Sequence, residues 1–347
     1  MDPPTRFRRG TNISHWISQT DLADLENRRS RFTPEDARRI GSCGMDHVRL
    51  PFDYALLDGA APGHVSEDGF GWVERALDWC AAEGLGVVLD MHRAPGASFS
   101  EAVNPLYDDP RCQGRFAGLW RAIADRFRTR GDELALELLN EATASDPEQW
   151  NRVAAIGLEA IRSADPSRLV VIGSNRWNSC EQFRHLRRFD DPRVLYTFHF
   201  YDPFCFTHQR APWCKPMCDL YTEPVPYPGR PRNLSGLPNR VPAEHREWAR
   251  AFVAESDHRM DRNWLEGRLR PVLEFREVYG VPLYCGEFGA LATGADAARR
   301  AWYGDVLGLL DKHRIGWANW DYNGGGFGLL DAERRATVVH SVLVKQR

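Results

Sequence analysis

A repeated alternation of short apolar runs with amphipathic segments constrains the fold more than any other feature. Eight runs rich in Val, Ile, Leu and aromatic residues each end in polar residues and precede a helical pattern. They are Arg8–Ser14, His47–Asp53, Gly86–His92, Leu134–Glu141, Leu169–Trp177, Val194–Asp202, Pro282–Ala290 and Gly316–Asn323. Repeated βα units of this kind predict an α/β protein whose parallel strands close into a (β/α)8 TIM barrel.

The predicted helices carry matching start signals. Thr33-Pro34 and Asp146-Pro147 each place a capping residue before a proline, which favours the first turn of a helix. The helical patterns run over 33–43, 70–84, 114–128, 147–164, 243–279 (with a break near Asp257) and 295–313. Local signals and the global repeat therefore predict the same fold.

The chain length fits one barrel, and we expect a single domain over residues 1–347. One interval between strands is far longer than the others. It holds a proline-rich insertion of about residues 203–241 after strand six, without periodic pattern. Such a segment either shapes a site or is disordered.

Composition narrows the range of partners. The formal net charge is -3 and the basic residues are scattered, so neither nucleic acid nor an anionic membrane is an expected partner. No run of 18 apolar residues is present, and the N-terminus lacks the basic-then-apolar order of a signal peptide. We expect a soluble monomer, secreted or periplasmic if a signal peptide was removed and otherwise cytoplasmic.

Three of the eight cysteines cluster in the insertion. Cys205, Cys214 and Cys218, with His208, offer four ligands for a metal, but their spacing matches no common zinc module. A disulfide or free thiols remain open alternatives.

Six of the eight predicted strands end in charged, aromatic or imidazole groups. In a closed barrel the carboxyl ends of the strands form one mouth, where such side chains build an active site. These candidates are Arg49, His92, Asn140, Glu141, His199, Tyr201, Glu287 and Trp320. If the whole set had only a structural role, several charged side chains would be buried at a cost in free energy that no function requires.

Two glutamates in this set, on strands four and seven, face each other across the mouth. Such a pair can flank a scissile glycosidic bond. Glu287 is expected to stay ionised beside Arg49, His199 and Tyr201 and to attack as the nucleophile, while Glu141 acts as acid and then as base. For a retaining enzyme we expect the two carboxyl groups to lie about 5 to 5.5 Å apart.

The pattern resembles glycoside hydrolase family 5, the cellulase family, over nearly the whole barrel. The resemblance rests on Arg49, His92, Asn140-Glu141, His199 and Tyr201, Gly286-Glu287-Phe288-Gly289, and Trp320. It implies that Asn140 binds the sugar 2-hydroxyl, that His92 and His199 line the subsite of the attacked sugar, and that Trp320 forms its floor. It also implies further substrate contacts from Asn12, His15, Trp16, Trp177, His208 and Gln209. No cofactor and no metal is expected.

The leading hypothesis is an endo-β-1,4-glucanase (cellulase) acting on a β-linked oligo- or polysaccharide. An exo-acting β-glucosidase or β-1,3-glucanase, or a β-mannanase or β-mannosidase, is the alternative within the family. A non-catalytic sugar-binding barrel is disfavoured because both glutamates and their neighbours are intact. A metal-dependent hydrolase is disfavoured because the end of strand one, Asn12-Ile13-Ser14-His15, lacks paired histidine ligands.

Overall fold

A computed structural model of the chain describes residues 6–59 and 64–344. Residues 1–5, which carried the expectation about a signal peptide, lie outside the described residues. Eight parallel strands pair in chain order, and the eighth pairs with the first to close a barrel. They are β1 Arg9–Asn12, β2 His47–Asp53, β3 Gly86–Arg93, β4 Leu134–Glu137, β5 Leu169–Gly173, β6 Val194–Phe200, β7 Leu283–Phe288 and β8 Gly316–Asn319. The predicted fold class is confirmed.

Helices connect the strands. They comprise Leu25–Ser30, Pro34–Ser42, Tyr54–Leu57, Glu67–Ala82, Pro110–Arg126, Pro147–Ala164, Phe204–Thr207, Met217–Leu220, Leu237–Arg240, Arg246–Ser256, Arg262–Tyr279, Asp296–Lys312 and Val338–Leu343. Short 3-10 turns cover Pro105–Tyr107, Cys180–His185 and Ala243–His245. Thr33 and Asp146 both form capping boxes, so the predicted start signals operate in the folded chain.

The fourth strand is shorter than the prediction of Leu134–Glu141. Its regular pairing ends at Glu137, although the Leu138 amide still donates to Val171 and the Asn140 amide to Met91. At Glu141 the chain adopts a left-handed φ of 46° and leaves the barrel. Asn140 and Glu141 therefore lie beyond the strand proper, on a bent segment held by both neighbouring strands.

The chain divides into two compact units. The first comprises residues 1–199, 271–287 and 314–319, and it contains nearly all of the barrel. Its strands are buried along their length, as parallel strands covered on both faces must be. Its core contains Phe7, Val88, Ala135, Leu169, Val171, Leu195, Tyr284 and Ala318.

The second unit comprises residues 200–270, 288–313 and 320–347. It includes the proline-rich insertion, which is built from three single-turn helices rather than one long loop. Buried residues anchor the insertion within this unit. Tyr227, for example, is buried and its hydroxyl lies 2.8 Å from Asp305 Oδ2. In the described part of the chain, no helix combines the length and apolar character needed to cross a bilayer.

Candidate active site

Arg49 lies at the centre of a polar cluster inside the first unit. It projects from β2, where every residue is buried, and its own side chain is fully buried. Its Nη1 donates to Glu287 Oε1 at 2.7 Å, and its Nε and Nη2 donate to the two oxygens of Glu137 at 2.7 and 2.9 Å. A planar guanidinium with five donors suits this arrangement, because it can bind several fixed oxygens at once.

Two asparagines orient the same guanidinium. Asn12 Oδ1 accepts from Nη1 at 2.9 Å, and Asn140 Oδ1 accepts from Nη2 at 2.9 Å. The amide nitrogen of Asn12 donates to the carbonyl oxygens of Gly286 and Asn319. The Asn12 side chain is thus engaged with protein partners at both ends. It positions Arg49, which differs from the substrate contact expected from the sequence.

Glu141 and Glu287 approach each other closely. One carboxylate oxygen of each, together with an imidazole nitrogen of His199, lie within 4.8 Å of one another. His199 Nδ1 is 2.9 Å from Glu141 Oε1 and 3.6 Å from Glu287 Oε2. The imidazole therefore lies against both carboxyl groups.

The two glutamates have unlike environments. Burial raises the pKa of Glu141 well above its ordinary range, and the negative charge of Glu287 acts in the same direction. Glu287 instead lies on the permanent positive charge of Arg49. One carboxyl group thus favours the protonated form while the other is paired with a cation, which is the division that acid and nucleophile require.

Both histidines of the cluster are held neutral. Burial lowers the pKa of His199 well below its ordinary value, and Arg49 and His92 add to the effect. Burial also lowers the pKa of His92 to about 3. Nδ1 of His92 lies 2.7 Å from Asp90 Oδ2. A neutral ring whose Nδ1 faces a carboxylate carries its proton there, so Nε2 of His92 is left as an acceptor.

Sequence reasoning missed Glu137 as a site residue. It is fully buried on β4 and makes both of its hydrogen bonds to Arg49. Asp90, on β3, is a second buried carboxylate that was not predicted, and its Oδ2 lies 3.1 Å from Arg49 Nη2. The available signal was a charged residue inside the apolar run Leu134-Ala135-Leu136-Glu137, since a buried carboxylate needs a cation on a neighbouring strand.

One predicted substrate contact is wrong. Trp16 is fully buried, its indole N–H donates to the Arg28 carbonyl at 2.8 Å, and its ring packs against Phe32 and Trp79. A ring with no accessible face cannot stack on a sugar. Trp16 is a core residue.

Trp177 has the opposite environment. It is 54% exposed, and its indole N–H donates to the Phe99 carbonyl at 3.1 Å, which holds the ring in place. Phe99 contacts His92 edge-on. His15 is half-buried, and burial lowers its pKa to about 4, with Arg31 and His92 acting in the same direction. Trp177 thus lies beside Phe99, which contacts His92, and His15 is near enough to His92 to be affected by its charge.

The remaining predicted residues lie in the second unit. Tyr201 packs against an apolar cluster that contains Trp320 and Phe327. His208 stacks on Phe204 with ring centroids 4.2 Å apart. Gln209 is buried, its amide donating to Phe206 O and accepting from the Val225 amide. Gln209 therefore has a structural role inside the insertion, in contrast to the expected substrate contact.

The cysteine cluster does not form a metal site. All eight cysteines are free thiols, and Cys205 Sγ contacts the sulfur of Met260. Among the described residues, Glu141, His199 and Glu287 alone place ligand atoms close enough to hold an ion. The Arg49 guanidinium on Glu287 already supplies a positive charge there, so the arrangement suits carboxylate chemistry better than a metal.

The strands form a closed parallel barrel, and two closely spaced glutamates in different environments lie beyond β4 and on β7. This combination defines the class of barrel enzymes that hydrolyse glycosidic bonds. Comparison with known proteins agrees. A family model described as cellulase (glycosyl hydrolase family 5) matches residues 18–326. The chain belongs to glycosyl hydrolase family 5.

Several relatives are similar over most of their length. Endoglucanase C of Acetivibrio thermocellus is 36% identical over 332 residues, covering 95% of this chain and 95% of that protein. Cellodextrinase A of Ruminococcus flavefaciens is 30% identical over 311 residues, covering 88% and 83%. The solved structure of an endoglucanase from the hyperthermophilic Thermotoga maritima superposes with a TM-score of 0.74 at 26% identity, covering 97% and 96%.

Proposed function

We propose that this protein is an endo-β-1,4-glucanase that cleaves β-glucan with retention of configuration. The observation that carries the proposal is the pair of carboxylate oxygens on Glu141 and Glu287 within 4.8 Å of each other. Inverting enzymes need roughly 6.5 to 9.5 Å between their carboxyl groups to admit a water, whereas retaining enzymes need about 5 to 5.5 Å. An approach within 4.8 Å by one oxygen of each carboxyl group favours the shorter, retaining arrangement, in which a carboxylate attacks directly.

In the first step, Glu287 attacks the anomeric carbon and forms a covalent glycosyl ester. The ion pair with Arg49 keeps Glu287 anionic and fixes the direction of its Oε1. Glu141 gives its proton to the leaving glycosidic oxygen as that bond breaks. Its raised pKa keeps this proton available near neutral pH.

In the second step, Glu141 accepts a proton from water, and the resulting hydroxyl attacks the anomeric carbon and releases Glu287. The loss of a neighbouring negative charge when Glu287 is esterified lowers the pKa of Glu141, which suits it to act as the base. All proton and bond transfers are made by the two carboxylates and water, so the reaction requires no cofactor. Asn140, held on Arg49, is assigned to the sugar 2-hydroxyl.

The roles can be separated by rescue with azide. Glu287→Gly leaves a cavity at the nucleophile, so azide is expected to attack the anomeric carbon directly and give the α-glycosyl azide from an activated aryl β-glycoside. Glu141→Gly, at a position whose φ of 46° suits glycine, still forms the covalent ester, so azide yields the β-glycosyl azide. The reverse pair of products would exchange the two roles, and unchanged turnover in Glu287→Gly would remove the mechanism.

The β-1,4-glucan assignment is supported by the match to the cellulase family, and endo action by the similarity to endoglucanase C, which aligns over 95% of both chains. The similarity to cellodextrinase A favours, as the second candidate, action on short oligosaccharides. The viscosity of carboxymethylcellulose distinguishes the two: an endo enzyme lowers it early, while release of reducing sugar without a fall in viscosity supports the second candidate.

We also propose that residues 1–347 act as a single catalytic domain. The family match supports this, because residues 18–326 include segments of both compact units. A single cooperative unfolding transition, monitored by calorimetry, is the expected behaviour.

A further inference from the structure

A strained turn follows β5 and carries Asn178. Three consecutive residues, Arg176, Trp177 and Asn178, have left-handed φ values of 48°, 59° and 51°. Such a run is uncommon outside glycine and persists only where the surroundings fix it. The turn must therefore be held in place by other contacts.

Two sets of hydrogen bonds hold it. Asn175 exchanges hydrogen bonds of 2.8 and 2.9 Å with the backbone of Ala144, and the Trp177 amide donates to Ala142 O. Ser174 Oγ donates to Ser179 O across the turn at 2.8 Å. The turn is thus attached to the segment that directly follows Glu141.

The fixed turn presents a buried amide to His199. Asn178 is fully buried, and its Nδ2 lies 3.2 Å from His199 Nε2. With Nδ2 turned toward the ring, the amide donates to Nε2, and Nε2 then accepts and carries no proton. In a neutral imidazole the proton then lies on Nδ1, the nitrogen 2.9 Å from Glu141 Oε1.

We propose that Asn178 is a positioning residue that fixes His199 in the Nδ1–H tautomer. The inference rests on the acid/base role proposed for Glu141. Nδ1–H of His199 donates to Oε1 of Glu141, so a proton on Oε1 would be repelled by the Nδ1 hydrogen. The acidic proton of Glu141 is therefore held on Oε2. That oxygen is the one free to protonate the leaving group.

The opposite tautomer would work against catalysis. If Nε2 carried the proton, the Nε2–H group would point at the amide hydrogens of Asn178. The unprotonated Nδ1 would then accept a hydrogen bond from the carboxyl group of Glu141. The acidic proton would then be directed at the imidazole rather than at the substrate. With its Nδ2 facing the ring, Asn178 therefore selects the tautomer in which His199 can only donate to the acid.

The charges around this pair come from four strands. The charged or titratable groups are Arg49 on β2, Asp90 and the neutral His92 on β3, Glu137 on β4, and Glu287 on β7. Substitution of Asn178 leaves all of them in place. In Asn178→Gly, which adds no charge, a change in the ionisation of Glu141 can therefore be attributed to His199.

The direct test is 15N NMR of the intact enzyme with labelled histidine. The His199 ring is assigned by loss of its signals in His199→Gln. The expected spectrum has a protonated Nδ1 and an unprotonated Nε2. A protonated Nε2 in the wild type would overturn the proposal. The measurement does not depend on turnover, so its result is independent of whether Glu141 is the acid/base. Azide rescue tests that role separately.

Two variants test the cause. Asn178→Asp keeps the size and tolerates the left-handed backbone, but it replaces the donor with an acceptor. We expect His199 to gain a proton at Nε2 and become an imidazolium. Because this positive charge lies beside Glu141, the basic limb of kcat/KM should move to lower pH by about one unit. Asn178→Gly removes the amide without adding backbone strain. This variant should contain both tautomers of His199. We expect kcat to fall by about tenfold at constant KM, which is a small part of the roughly 10²- to 10⁴-fold rate enhancement that general acid catalysis supplies.

Arg176→Gly is the matched control, since it removes an exposed left-handed side chain from the same turn. It should keep the tautomer, kcat and pH profile of the wild type. If both Asn178 variants retain the wild-type tautomer, the assignment to Asn178 is wrong. If Arg176→Gly alters the tautomer as they do, the effect belongs to the turn as a whole and not to Asn178.

Discussion

Nη1 of Arg49 lies 2.7 Å from Oε1 of Glu287, and the remaining edge of the guanidinium is bound by Glu137 at 2.7 and 2.9 Å. The cation is thus fixed by Glu137 while it orients Glu287, the carboxylate proposed as the nucleophile. The geometry depends on the fork shape of arginine, which a point charge cannot reproduce.

Replacing Arg49 with lysine should therefore abolish most activity although the charge is kept. A single ammonium cannot bind Glu137 and Glu287 together, so kcat/KM is expected to fall by about 10² to 10³, as when one preorganised donor is lost. Steady-state kinetics on an aryl β-cellobioside would measure this. Arg168→Lys is the control: Arg168 is also buried and paired with Asp165, at 2.8 Å, so the change should lower stability but leave kcat intact. A fully active Arg49→Lys enzyme would contradict the role of the fork.

The pH dependence of activity should reveal the raised pKa of Glu141. The acid works only when protonated, so kcat/KM is expected to fall as pH rises through that pKa. In Glu141→Gln, tested on an aryl glycoside whose leaving group needs no proton, this basic limb should disappear. If the limb stays at the same pH in the variant, another group carries it.

The pH dependence of stability should carry the signature of Asp90. Burial raises the pKa of Asp90 to about 7 in the folded protein. A carboxyl group with a raised folded pKa contributes stability that is present below about pH 4 and is lost as pH rises toward about 7, at up to about 1.4 kcal/mol per pH unit per proton. Asp90→Asn should flatten this decline between pH 4 and 7 and be more stable relative to the wild type at pH 8 than at pH 4.

The free energy of unfolding is measured by denaturant titration across this pH range. Asp165→Asn is the control, because its effect on stability should depend on pH in the opposite direction. Although burial acts in the other direction, hydrogen bonds from Ser167 and Arg168 lower the pKa of Asp165. Its stabilisation is present above the unfolded pKa and is lost as pH falls. Asp165→Asn should thus be less stable than the wild type at neutral pH and approach it at low pH. An Asp90 variant that behaves in the same way would contradict the prediction.

Trp177 is expected to bind sugar through its exposed face. Trp177→Ala should raise KM for cello-oligosaccharides about threefold to tenfold, the equivalent of roughly 0.5 to 1.5 kcal/mol for one aromatic contact, and change kcat little. Trp16→Ala is the contrasting variant: a fully buried ring costs about 3 to 5 kcal/mol of stability when truncated. An unchanged KM in Trp177→Ala across all chain lengths would exclude the stacking role.

The sequence by itself determined the barrel and the close approach of Glu141 and Glu287 within it. Strand and helix periodicities are local properties, so β2 and the helix Pro147–Ala164 were predicted to the residue. Glu141 and Glu287 could be found because parallel strands of a closed barrel end at one mouth, which turns a position in the sequence into a position in space.

The partners of those residues were decided only by the tertiary structure. Glu137 on Arg49 and Asn178 on His199 are contacts over 88 and 21 residues of sequence. Nothing local distinguishes a buried carboxylate that orients a cation from one that performs catalysis. In the same way, Trp16 and Trp177 are both aromatic residues beside strand ends, yet the first is enclosed by Phe32 and Trp79 and the second is open to solvent. Exposure depends on what packs against a ring, and that is a property of the whole fold.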